Sequence, residues 1–165
     1  MKIKQFIPQD VCLSCRGCCR FKEMDSILRP CLLEEEVQEL LDKQIPFAAI
    51  SIERKLMLIP DPKQENSYIC PFLNVEDNHC KIYEFRPFEC QLYPFLISLR
   101  NNKIFLTVDL NCPYVKEVIH KKEFKEYTEY LSAFLNTPAC KRMFKDNPHL
   151  IQAYIEALDL LELNL

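Results

Sequence analysis

Eight of the ten cysteines in this 165-residue chain are spaced for metal chemistry. Cys12, Cys15 and Cys18 follow C-x2-C-x2-C, which lets three thiolates converge from one tight loop on a metal ion or on the corners of an iron–sulfur cluster. Cys19 follows at once, and because neighbouring side chains tend to diverge, the two are expected to serve different ligand sets. Nine residues separate Cys70 from Cys80 and again Cys80 from Cys90, and twenty-one separate Cys90 from Cys112. Eight thiols suffice for two four-thiolate sites. Pro71 and Pro113 follow Cys70 and Cys112, as a proline follows one cluster cysteine in bacterial ferredoxins, and the imino ring fixes the exit direction of the chain. Cys31 and Cys140 are left over and read as small buried thiols.

A thiolate-only set suits zinc or an iron–sulfur cluster, and spacing does not separate them. The opening matches a ferredoxin loop through its third cysteine, whereas zinc ribbons more often use paired C-x2-C knuckles. Against that, ferredoxin-type loops usually carry glycines and this one has Gly17 alone. A 4Fe-4S cluster is therefore the first expectation and zinc the alternative. Arg86, between Cys80 and Cys90, is a candidate to donate to cluster sulfurs or clamp a carboxylate, against the plainer reading of an ion pair with Glu84 or Glu89. Tyr83 and Tyr93 flank the same cysteines and are candidates to screen the site or donate to it, although core packing explains both nearly as well. His79, beside Cys80, reads as solvated.

The elements that must position these residues are short. Leu33, Val37, Leu40 and Leu41 share a stripe, with acids in the first turn, which predicts an amphipathic helix ended by Pro46. The branched, apolar run from Ile50 to Ile59 predicts a strand, and Phe95–Arg100 and Lys103–Val108, on either side of Asn101-Asn102, predict a hairpin. Beyond Cys112-Pro113 the pattern turns helical, with Thr137-Pro138 ending one helix and capping the next. A last helix is expected to carry Leu150, Ile151, Tyr154, Ile155, Leu158 and Leu161 on one face. The fold class is α+β: a small cysteine-rich, metal-centred domain with a β-hairpin or small antiparallel sheet, braced by C-terminal helices. With no linker or repeat, residues 1–165 read as one domain, 12–113 binding metal and 114–165 forming a helical extension.

Composition narrows the functions. Apolar residues make up 48% and charged residues 27%, a globular balance. Twenty-one basic against twenty-four acidic residues leave a net charge of -3, which argues against a nucleic-acid partner. A single glycine excludes glycine-rich phosphate loops. No 18-residue apolar run and no signal-peptide pattern occur, so no membrane partner and a cytoplasmic location are expected, where thiols stay reduced.

Cys12-Leu-Ser-Cys15-Arg-Gly-Cys18-Cys19, Cys70-Pro71-Phe72-Leu73, the run from Cys80 through Ile82-Tyr83 and Arg86-Pro87 to Cys90, and Tyr93-Pro94-Phe95 together resemble the CxxCxxCC (YkgJ-type) cysteine-cluster family. That resemblance spans about residues 12–113 and implies a zinc- or iron-chelating domain using the same eight cysteines. Some larger relatives are iron–sulfur flagellin lysine methylases. Three functions stay open: a metal-binding redox or accessory protein with a protein redox partner, a small iron–sulfur enzyme related to the S-adenosylmethionine-using methylases and acting on a protein or small-molecule substrate, or a structural zinc interaction domain. No nucleophile motif or H-E-x-x-H pair is visible, so catalysis would have to run through the metal.

Overall fold

A computed structural model describes residues 2–15 and 17–165, folded into helices and small antiparallel sheets. Two units form, Met1–Gln91 and Leu92–Leu165. The α+β class holds for the chain as a whole.

In the first unit, β3 (Tyr68–Ile69) is the middle strand of a sheet, with β1 (Arg20–Phe21) on one side and β2 (Ile59–Pro60) on the other, both antiparallel to it. Two-residue strands supply few ladder bonds, so burial must hold them. Phe21 and Ile69 sit in a core with Leu32, Leu40, Ile50, Leu56, Leu58 and Phe72. α1 (Gln9–Ser14) buries no residue. α2 (Glu34–Asp42) is the amphipathic helix expected from the leucine spacing, and it packs Leu40 inward.

The strand expected over Ile50–Ile59 is mostly a tight turn. Ser51 N–H donates to Lys55 O at 2.8 Å and Arg54 N–H to Ser51 O at 2.9 Å, with Arg54 left-handed at φ 59. Lys55 N–H also donates to the Ser51 hydroxyl at 3.1 Å. Such a hydroxyl offers the backbone a local alternative to a ladder. Ile50, Leu56 and Leu58 are buried by doubling back, with Ile50 bridging Leu56, while Ile52 stands exposed at the turn and only Ile59–Pro60 remains a strand.

In the second unit β4 (Phe95–Arg100) and β5 (Lys103–Val108) form the expected hairpin, from Phe95 opposite Val108 to Arg100 opposite Lys103. Asn101 and Asn102 take φ 48 and 61, the left-handed pair that a two-residue hairpin turn requires and that asparagine tolerates. α4 (Pro113–Val118) and α5 (Lys122–Leu135) follow. α5 buries Phe124, Tyr127, Leu131 and Leu135, each side chain contributing about 1.5–3 kcal/mol. Phe95 lies 5.5 Å from Phe124 and 5.3 Å from Tyr127, ring centre to ring centre. α6 (Pro138–Asp146) starts at Thr137, whose hydroxyl accepts from Cys140 N–H at 3.4 Å, as the Thr-Pro pair predicts.

The last expected helix is absent from the described residues. Pro148–Leu150 make one 3-10 turn, and β6 (Leu158–Leu163) pairs antiparallel with β5. Gln152 is fastened to β4 by Leu99 N–H to Gln152 O at 2.9 Å and Gln152 N–H to Ile97 O at 3.2 Å. The hairpin's open edges offered this segment backbone partners, and they outweighed the helical spacing. Leu106 pairs with Leu161 but Thr107 with Asp159, so Leu160 is an extra residue in a bulge. That insertion separates Leu158 from Leu161 by three and so imitates a helical period.

Candidate metal centre

Seven of the eight candidate cysteines lie in the first unit, and the eighth, Cys112, lies in the second. All ten cysteines are free thiols. α1 presents Cys12, and Cys15 ends it, with its N–H donating to Val11 O at 3.0 Å and Cys12 O at 3.2 Å. Gly17 N–H then donates to Cys15 Sγ at 3.4 Å. Arg20 N–H to Gly17 O at 3.1 Å closes a turn whose two central residues are Cys18 and Cys19. Inside that turn the side chains do not alternate as in a strand, and the two sulfurs approach to 3.9 Å. The expected divergence of this pair is thereby corrected.

β1 carries the chain from that turn to β3, which ends at Cys70. A hairpin accounts for the nine residues that follow. Lys81 N–H donates to Phe72 O at 2.8 Å, Asn74 N–H to His79 O at 2.9 Å, and Leu73 bridges Cys80, which returns the chain to within three residues of Cys70. Leu73 N–H donates to Cys70 O at 3.0 Å, and the amides of Phe72 and Leu73 near Cys70 and of Ile82 near Cys80 favour the thiolate forms of those cysteines. Cys90 sits in α3 (Phe88–Leu92), the short helix entered through Arg86-Pro87.

These thiols share one electrostatic neighbourhood. Cys18 acts on Cys12, Cys70, Cys80 and Cys90, and in each case a second negative charge is disfavoured. The hydrogen bond with Cys19, followed by lost hydration, holds the Cys18 thiol well above the ordinary range. Part of Cys18 is solvent-exposed, while its sulfur is turned toward this neighbouring thiol. Burial pushes Cys70 up to about 12 and raises Cys12, Cys80 and Cys90, the last strongly. Thiols so arranged keep their protons unless a cation supplies the missing charge. Among the described residues no group of three Cys, His, Asp or Glu side chains is gathered to hold an ion as it stands. The donor chemistry nonetheless fits thiophilic metals, zinc or iron–sulfur.

Arg86 is the cation of this neighbourhood. Its charge lowers the proton affinity of Cys12, Cys18 and Cys80. Its guanidinium stacks on Tyr83 at 4.1 Å and donates to the Gln5 side chain, while its carbonyl accepts from Gln91 Nε2 at 2.9 Å. The ion pair with Glu84 or Glu89 does not form: Glu89 instead accepts Cys31 N–H at 2.6 Å. Burial raises Glu89 to about 8 and Cys31 to about 12. His79 is exposed, beside Asp77 at 3.6 Å. Tyr93, in the second unit, donates to Asp109 at 3.0 Å. There Cys112 is buried and caps α4, with Pro113 as the first helical residue, and Cys140 is buried within α6.

Sequence reasoning missed Gln5 and the role of Glu36, and gave Glu89 to Arg86 where it serves Cys31. Glu36 accepts Leu33 N–H at 2.9 Å and Phe88 N–H at 2.6 Å, so one carboxylate satisfies the starts of both α2 and α3. An acid three residues after Leu33 was the available signal for the first bond. Nothing local marks the second, which spans 52 residues.

A family model described as "CxxCxxCC: Putative zinc- or iron-chelating domain" matches residues 11–113. The chain belongs to this family. Its matched segment contains all eight candidate ligands and runs from the first unit into the second. The chain is also similar to the uncharacterized protein MJ0661 of Methanocaldococcus jannaschii, 44% identical over 41 residues, 25% of this chain. That stretch covers 22% of the relative's length. No solved structure matches the chain. Membership makes this a domain of a metal-chelating family, and no helix among the described residues is long and apolar enough to cross a membrane.

Proposed function

We propose that the protein is an iron–sulfur protein working as a redox or accessory module in a reducing, cytoplasmic setting. The observation that carries this reading is the hydrogen-bonded field around the thiols. Gly17 N–H donates to the Cys15 sulfur at 3.4 Å, Cys18 pairs with Cys19 at 3.9 Å, Arg86 favours the thiolates of Cys12, Cys18 and Cys80, and Cys18 acts on four of the other thiols. N–H donors to sulfur, local charge and burial are the levers that set a cluster's potential. The ligands are drawn from Cys12, Cys15, Cys18, Cys19, Cys70, Cys80 and Cys90, with Cys112 as the eighth candidate. When bound, a 4Fe-4S cluster supplies one-electron chemistry. The chain's own residues orient the sulfurs, exclude water at Cys70 and Cys90, and offset thiolate charge through Arg86, which Tyr83 holds in place.

The test is anaerobic purification from iron-supplied cells, with iron, zinc and acid-labile sulfide measured beside the visible spectrum. Iron and sulfide in equal amounts, with a broad absorption bleached by dithionite, are expected. A colourless protein with stoichiometric zinc and no sulfide would replace this reading with that of a structural zinc domain.

A further inference from the structure

The second unit contains a groove of about 560 Å³ whose lining joins two chemistries. Ile104 of β5, Phe144 of α6, Ile151 and Leu165 give it an apolar wall, while Lys141, Arg142 and Lys145 stand along one side. Lys141 and Lys145 are one turn apart on α6, an arrangement of like charges that a helix does not favour. No ion pair or hydrogen bond of their side chains among the described residues engages any of the three. On the neighbouring sheet, by contrast, Arg100 meets Asp159 and Lys103 meets Glu162, both at 2.7 Å, while Lys116, Lys121 and Lys125 of the other helices stand without an ion pair among the described residues and line no part of this groove. The helix dipole accounts for a cation such as Lys145 in the last turn of α6, but not for an apolar recess beside three unmatched ones.

We propose that this groove binds a small amphipathic carboxylate, its apolar tail against Ile104, Phe144, Ile151 and Leu165 and its head at Lys141 and Lys145. The volume falls within the roughly 300–1,000 Å³ of ordinary small-molecule sites, which pair apolar walls with a few placed polar groups. Charge complementarity selects an anionic head. Recession of the wall selects a ligand that enters over a membrane that is entered: Phe144 is 1% exposed and Ile104, Ile151 and Leu165 are half-buried, so none protrudes into acyl chains. A protein partner would need about 800 Å² on each side, and eight residues line this groove.

Calorimetric titration of the full-length protein, as purified with its metal, with hexanoate, octanoate and decanoate tests the site. Saturable one-to-one binding is expected, tightening about fourfold for each added methylene until the groove fills. Decanol should bind at least about tenfold more weakly than decanoate, and so should decanoate to a Lys141→Glu/Lys145→Glu variant with an unchanged circular dichroism spectrum. Absence of saturable binding at millimolar decanoate, equal affinity for decanol, or indifference of a folded variant to charge reversal would each overturn the proposal. The chain-length series and the decanol comparison use the unaltered protein, so they decide the question even if the variant unfolds.

Discussion

The amide of Cys70 donates to the carbonyl of Cys19 across 3.0 Å, continuing the ladder that pairs Arg20 with Ile69. Two cysteines fifty-one positions apart are therefore fixed to each other through backbone, before any metal is considered. At its other end the C-x2-C-x2-C loop is held by side chains instead, since α1 buries no residue but Gln5 before it accepts from Arg86 and Ile3 N–H donates to Gln91 Oε1 at 3.4 Å.

The central place of Cys18 sets the outcome of serine replacement. Cys18→Ser removes the thiol that acts on Cys12, Cys70, Cys80 and Cys90 and pairs with Cys19 at 3.9 Å. Metal content of this variant is expected to fall by more than half, whereas Cys140→Ser, altering a thiol buried within α6, retains the full amount. Elemental analysis of the purified variants checks both.

Gly17 is expected to be dispensable despite being the chain's single glycine. Its backbone is not left-handed, and a Cβ there would meet Cys15 Sγ at 3.5 Å, an ordinary contact. Gly17→Ala should change stability by no more than about 0.5 kcal/mol and leave metal content unaltered, as urea unfolding and elemental analysis would show.

Metal uptake should release protons. Cys12, Cys18, Cys70, Cys80 and Cys90 all have raised proton affinity, so without metal they are protonated at pH 7. Each one that ligates gives up about one proton, and apparent affinity falls about tenfold per ligand for each unit the pH is lowered. Indicator-dye titration in weak buffer reads the proton count directly.

Glu89 supplies a stability window. Burial lifts its carboxyl to about 8 in the folded chain, against an unfolded value near 4.3. The folded state therefore holds this proton more tightly. The resulting stabilisation is complete below about pH 4.3 and is lost as pH rises toward 8. A Glu89→Gln variant keeps an acceptor for Cys31 N–H and has nothing to titrate. Between pH 6 and 8 wild type should lose stability relative to it by about 1 kcal/mol per pH unit, then run parallel, which urea unfolding at each pH would show.

The hairpin was legible because Asn101-Asn102 state the turn and the strands on either side match the unpunctuated runs around it. α2 and α6 were legible for the same reason, a local period with local stops. The last strand was not: its bulge at Leu160 imitates a helix, and its partner β5 lies some fifty residues earlier in the chain. The eight cysteines could be gathered by type and spacing alone. Their arrangement could not, because it depends on a turn that aims Cys18 and Cys19 together and on pairings such as Arg86 with Gln5, separated by 81 positions.

The shared carboxylate of Glu36 makes α2 and the Cys90 helix a single cooperative unit. One carboxylate accepts from both helix starts, so a displacement of Glu36 disturbs both together. Opening of α2 and loosening of Cys90 would then appear in hydrogen exchange as one event with one rate, and a helix far from Cys90 in sequence becomes a handle on how firmly the metal is kept.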